Sequence, residues 1–419
     1  MSGDTEDPAH GWHYASPRTL AGALQRGLGR GAYQALVDPT APALVIDCLR
    51  RDHRWFWQVD EREVYLARLV RDLRLPARPI VARLSAAPSE ESDDDNEFAN
   101  TLAVLEVLGR AGYDGVVEEI RSYLRDGERW LDVVQTVARS WPVEWWDDLR
   151  KAISGRLDTA NPDRLLWRSP PWTTWADRDA RIGAAVDAAR RPLGPPRPFA
   201  GTASTALLDL LGDPGRAADW RPALRELRRR PPEPALLARV DGLLAAEVGH
   251  PLADAVVQLG ALAVPAARSW ARTPRHPLFW TGLRLLAAHG GPADGPALLA
   301  GLDWLDSRPD DLCGYDVLVT GLARLGGPDG AAVLPWLRRL WFSPHSYERA
   351  DYLRARTALD PAGAARALFE GLWDCESEVR LLATRQVALD DPARDRLHQL
   401  RDDTMEVAEV RAAAAERLD

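Results

Sequence analysis

Apolar residues along this chain recur three and four positions apart. Leu318, Leu322 and Leu325 are spaced that way, and Val333, Leu334, Trp336, Leu337, Leu340 and Trp341 make one broad stripe. That spacing places side chains on one face of an α-helix. No segment sustains the strict alternation of a half-buried strand, so the pattern predicts helices throughout. Between the stripes the chain repeats a short grammar: an apolar helical end, then Asp or Gly, often Pro, then a new stripe. At Asp38-Pro39, Asp213-Pro214, Asp360-Pro361 and Asp391-Pro392 the carboxylate suits an N-cap. The proline then falls at the first helical position, where its missing N–H costs nothing. Gly290-Gly291-Pro292 and Gly326-Gly327-Pro328 suit a glycine C-cap followed by a proline start.

These turns recur. Junctions at 260, 290, 326, 360 and 390 are separated by 30, 36, 34 and 30 residues, and weaker ones near Pro76, Gly109 and Pro142 extend the step toward the N-terminus. About ten or eleven helical hairpins of this length would stack in one dimension, because a lone hairpin cannot bury its stripe and a neighbour can. The predicted fold is all-α: an α-solenoid of stacked antiparallel hairpins. Four segments are expected: a flexible tail over 1–20, an N-terminal array over 21–160, an irregular connector over 161–202 and a C-terminal array over 203–419.

The sequence Glu-Val-Arg starts two neighbouring stretches, with Arg380 and Arg411 31 residues apart. Asp374, Val379 and Arg380, then Asp403, Val410 and Arg411, each followed by alanines and leucines, resemble the bacterial HEAT repeats. The likeness is to the short form that also occurs in phycocyanobilin-lyase-type proteins. In that family the Asp and Arg positions bond between adjacent repeats, which the resemblance implies for Asp374, Arg380, Asp403 and Arg411. A shift of 30 residues sets Ala350 opposite Arg380, so the preceding repeat is expected to lack its arginine and to stack through apolar contacts.

Three stretches interrupt the pattern. "APSEESDDDNE" (87–97) reads as a solvated acidic loop, with a cation site or a contact for a basic partner as the functional alternative. "RDHRWFWQVDEREVYLARLV" (51–70) holds an amphipathic helix that Asp60 can cap, with Glu61 and Glu63 in its first turn. Trp55, Phe56 and Trp57 precede it as a wedge between hairpins. The third runs from "RSWPVEWWDDLRK" (139–151) into the proline-rich connector. Trp141, Trp146, Trp167, Trp172 and Trp175 there either pin the connector to the array or offer aromatic anchors to a partner.

Composition narrows function without choosing it. The 419 residues carry a net charge of −9, which opposes phosphate binding. Lys151 is the sole lysine among 53 basic residues, an arginine bias that a GC-rich genome explains. The polar, acidic start lacks the pattern of a secretory signal, and no apolar run reaches the roughly 20 residues of a membrane span. A cytoplasmic protein is expected. Cys48, Cys313 and Cys375 are too scattered for a disulfide or zinc framework and read as buried thiols. No G-x-S-x-G, H-E-x-x-H, phosphate loop or C-x-x-C occurs, and the glycines of "GLGRGAY" (27–33) follow no strand. No catalytic residue, metal or cofactor is expected.

The leading expectation is therefore a non-enzymatic scaffold for a protein partner. The alternative implied by the resemblance is a HEAT-like DNA glycosylase or other nucleic-acid binder, with Trp145, Trp146, Asp147, Asp148 and Arg150 as its imagined site. A HEAT-like lyase or chaperone acting on a protein or cofactor is the third.

Overall fold

A computed structural model describes residues 5–7, 12–51, 53, 60–86, 96–160, 162–189, 197–246, 248–308 and 313–419. Helices dominate. A short antiparallel ribbon, β1 (Thr5–Asp7) with β2 (Trp12–Tyr14), opens the chain. It is followed by α1 (Leu20–Gln25), α2 (Gly29–Ala35), α3 (Ala41–Arg50) and α4 (Arg62–Asp72). Next come α5 (Ala77–Ala86), α6 (Glu97–Arg110), α7 (Val116–Asp126), α8 (Trp130–Ser140) and α9 (Arg150–Ser154). The tryptophan-rich stretch contributes α10 (Trp172–Trp175) and α11 (Ala180–Ala189).

Then follow α12 (Ser204–Leu210), α13 (Ala217–Leu227), α14 (Val240–Ala245), α15 (His250–Val257) and α16 (Val264–Trp270). After these lie α17 (Phe279–His289), α18 (Gly295–Asp306), α19 (Tyr315–Leu325), α20 (Gly327–Ala332) and α21 (Leu334–Leu340). The last helices are α22 (Arg349–Leu359), α23 (Pro361–Gly371), α24 (Ser377–Gln386), α25 (Asp391–Asp402) and α26 (Ala408–Leu418). None is long and apolar enough to cross a membrane.

The punctuation works as chemistry predicts, with one shift of register. Asp213 and Asp360 each accept a backbone N–H of the following turn, at 2.9 Å from Gly215 and 2.9 Å from Gly363. At the fourth site the cap is Asp390, which accepts from Ala393 N at 2.9 Å, and Asp391 is already helical. Asp38 instead bonds Thr40 in a turn before α3. Gly326 adopts φ 65°, the left-handed conformation that closes a helix without a Cβ clash, and donates to Leu322 O.

The chain forms two compact units, and their boundaries differ from the expected ones. Unit 1 joins Met1–Pro192 to Phe342–Ala350 and Ala365–Asp419; unit 2 comprises Leu193–Trp341 with Asp351–Ala364. The two sequence ends thus share one unit. Gly27 O accepts from Cys375 N at 3.0 Å, and a Cβ at Gly29 would collide with the Glu370 carbonyl, so that approach requires glycine. These bonds span more than 300 residues, beyond the reach of any local pattern. Within unit 1, α4 lies against α6 and α6 against α8. Unit 2 buries one apolar cluster running from Leu207 to Ala355, with Leu283, Leu302 and Leu318 fully enclosed.

Two sequence expectations need correction here. The expected tail over 1–20 is ordered at its end: Tyr14 is buried and donates to His53 O at 2.6 Å, and Thr19 caps α1. The expected connector is helical in part, because Ile182 and Val186, four apart, give α11 a buried edge. The acidic stretch over 87–95, the Trp55, Phe56 and Trp57 wedge and residues 190–196 lie outside the described residues.

Candidate functional site

Unit 1 holds a row of buried charges. Arg380 is 1% exposed and grips Glu406 with Nε at 2.7 Å and Nη2 at 2.8 Å. Its Nη1 donates to Asp374 O at 2.8 Å. One hairpin earlier, Arg349 is fully buried and pairs with Asp374 Oδ1 at 2.9 Å. The arginine expected to be missing opposite Ala350 is therefore supplied by Arg349. Arg349, Arg380 and Arg411 keep a step of 31, and a comparison shifted by 30 misses it.

The N-terminal segment completes the row. Arg68 of α4 donates to Asp403 Oδ2 at 2.9 Å and meets Glu406 Oε2 at 2.9 Å. Glu61 accepts Ser377 N and Oγ, both at 2.9 Å, at the start of α24. Ser346 Oγ donates to Asp60 Oδ2 at 2.6 Å. Of the four residues expected between repeats, Arg380 and Asp374 bond between C-terminal hairpins. Asp403 bonds to α4 instead, and Arg411 is exposed, donating to Arg401 O at 3.2 Å. Burial pushes the Glu406 carboxyl up, but Arg380 and then Arg68 override it and hold it below the usual glutamate value.

Asp60, Cys375 and Glu376 lie close enough to share a metal ion, all three buried. Their donors are already engaged. Arg62 Nη2 sits 2.7 Å from Asp60 Oδ2, and Arg349 Nη2 sits 3.0 Å from Cys375 Sγ. Burial and the neighbouring Asp60 push Glu376 up to about 7, and burial pushes the Cys375 thiol well up. Guanidinium groups already lie against two of the three, so the trio reads as part of the buried network. Cys48 is buried like Cys375, whereas Cys313 is exposed, against expectation.

The tryptophans face inward. Trp141, Trp146, Trp172 and Trp175 are between 0% and 4% exposed, and Trp167 is half-buried. Trp146 and Trp172 each pack edge-on to Trp175, at centroid distances of 5.7 and 5.9 Å. Their N–H groups are satisfied internally: Trp172 by Gln135 Oε1 at 3.0 Å, Trp175 by Asp147 Oδ1 at 2.9 Å, Trp141 by Glu106 O at 3.0 Å. Four of the five expected anchors are thus core residues, and Trp172 ties the tryptophan-rich stretch to α8 through Gln135. In the imagined glycosylase constellation both carboxylates are already paired. Asp147 pairs with Arg178 and Asp148 with Arg121, each at 2.7 Å.

An open surface lies elsewhere in unit 1. Helices α4, α6 and α8 line a groove of about 550 Å³. Ala99 and Ala103 on α6, and Thr136 and Ser140 on α8, are each four residues apart and set a strip of small side chains along the groove, beside the buried Phe98, Leu102 and Val107. Glu63 of α4 stands on one side. On the other, Asp132 joins Arg129 at 3.2 Å and Arg164 at 2.7 Å. Arg129 is anchored by stacking 3.7 Å from the centre of the Phe98 ring. Arg139 projects into the groove with its Nε on Gln135 O at 3.0 Å. The groove offers a shallow trough with both charge signs at fixed positions. Large anchor side chains do not mark this groove; its signal in the sequence is a strip of small residues on the polar edges of α6 and α8.

Comparisons of the chain with known protein families, with characterised proteins and with solved structures find no match.

Proposed function

We propose that this chain is a non-enzymatic protein-binding scaffold of the HEAT-repeat type, a solenoid of stacked helical hairpins, which receives a partner segment in the α4–α6–α8 groove. The observation that carries this reading is the strip of small residues between fixed charges of both signs. Small side chains at Ala99, Ala103, Thr136 and Ser140 leave room for a partner backbone, and paired rim charges set its register and orientation. The C-terminal hairpins hold the wall formed by α4 through Arg68, Asp403 and Glu406, so the groove is preorganised before binding.

Replacing Ala103 with Trp fills the trough without touching the buried pairs. Wild-type and Ala103→Trp proteins are used as bait in the native cell extract, with quantitative mass spectrometry and a melting curve for each. The expected result is one or a few proteins retained by wild type and lost with Ala103→Trp at an unchanged melting temperature. Identical capture by both baits, or no capture above an empty resin, contradicts the reading.

A further inference from the structure

A local excess of positive charge lies in unit 2. Arg221, Arg225, Arg228 and Arg229 line a groove of about 750 Å³ whose other lining residues include His250 and Asp254 in the first two turns of α15. All four arginines are exposed. Asp254 is the one carboxylate in the lining, and it is committed to Arg228 at 2.8 Å. Among the described residues no carboxylate pairs with Arg221, Arg225 or Arg229. Arg229 is steadied by a bond from its Nη1 to Arg225 O at 3.4 Å. In a chain with a net charge of −9, three unpaired guanidinia on one groove are a local reversal of sign. The amino end of α15 adds partial positive charge to the same space.

We propose that this groove is a binding site for an extended acidic polypeptide segment. The spacing supports it. Arg221 and Arg225 lie four residues apart on α13, about 6 Å along the helix, and Arg229 follows in the turn after it. Same-face side chains of an extended strand recur every second residue, about 6.6 Å. Carboxylates at alternate positions of a partner strand therefore meet Arg221 and Arg225 nearly in register, each through the planar fork that arginine offers. Nucleic acid fits less well. The lining contains no Trp, Tyr or Phe ring on which bases could stack, and the net negative charge opposes a long polyanion. This site is separate from the groove in unit 1, and either can fail without the other.

The test is fluorescence anisotropy on the full chain, with a short labelled peptide carrying Asp at every second position and Ser between. Saturable binding is expected at about 50 mM salt and strong weakening at about 300 mM. The double variant Arg221→Ser/Arg225→Ser, at two exposed positions, should bind about tenfold more weakly with an unchanged melting temperature. Ala103→Trp should bind the peptide as wild type does. No binding, equal binding of the peptide with Lys in place of Asp, or an affinity indifferent to the double variant overturns the proposal. Tighter, arginine-dependent binding of a single-stranded oligonucleotide overturns it in favour of nucleic acid.

Discussion

Both units contain arginine–carboxylate bonds that reach 26 residues ahead in the chain, from one hairpin to the next. In unit 2 these are Arg228 to Asp254 and Arg268 to Asp294; in unit 1 the matching bond is Arg380 to Glu406. The same separation gives opposite environments. The Arg228 and Asp254 side chains are 59% and 41% exposed, whereas those of Arg380 and Glu406 are 1% and 0% exposed. The difference is the N-terminal segment, which lays Glu61, Arg62 and Arg68 against the C-terminal hairpins and takes their charges out of water. The unit 1 bond is buried on both sides, whereas both unit 2 arginines stay exposed even where the carboxylate is buried, as at Arg268 and Asp294, 46% and 5% exposed.

The largest effect should come from a buried pair. Arg380→Ala leaves Glu406 short of its closest counter-charge and strips a donor from Asp374 O, and should cost about 3–5 kcal/mol in urea denaturation. A loss below about 1 kcal/mol would mean that burial confers no special role on this bond. Peptide binding by the folded variant should persist, since the groove in unit 2 is untouched.

A smaller effect concerns pH. Burial and the nearby Arg62 push His345 down to about 3, so it stays neutral in the folded chain. Between pH 6.5 and about 4.5 the unfolded chain therefore takes up a proton that the folded chain refuses, and stability falls on acidification. Glu376, raised to about 7, acts with the opposite sign: in that window the folded chain holds a proton that the unfolded chain has released. The two nearly cancel in wild type. Glu376→Gln should expose the histidine term, losing about 2 kcal/mol as the pH falls through the window. His345→Gln should expose the other, gaining stability over the same range. Flat profiles in both variants would contradict the burial of these groups. The smallest effect is at the rim, where Arg228→Ala should change stability by no more than about 1 kcal/mol.

The helical character and the turns were legible because they are local: leucines three and four apart, Asp-Pro starts and Gly-Gly-Pro stops each report on a few residues. The bond at Arg380 was legible through its repeated context. Arg349 was missed by one position because the step there is 31 and the comparison used 30. The unit boundaries were hidden, since Arg68 meets Asp403 across 335 residues and nothing in either segment announces the other. The tryptophans misled for a different reason. Indole area serves equally to fill a core or to anchor a partner. Only the placement of Gln135 and Asp147 as acceptors for Trp172 and Trp175 assigns them to the interior. The groove between α6 and α8 was hardest to read, because its strip of small residues has little side chain.

The central claim is that α4, one wall of that groove, is held by the far end of the chain. Native-state hydrogen exchange tests it directly. The account predicts that the amides of Arg62–Asp72 open together with those of Ser377–Gln386 and Ala408–Leu418, with one shared free energy that drops for all three segments in Arg380→Ala. Exchange of Arg62–Asp72 orders of magnitude faster than the two C-terminal helices, with their protection intact, would contradict it.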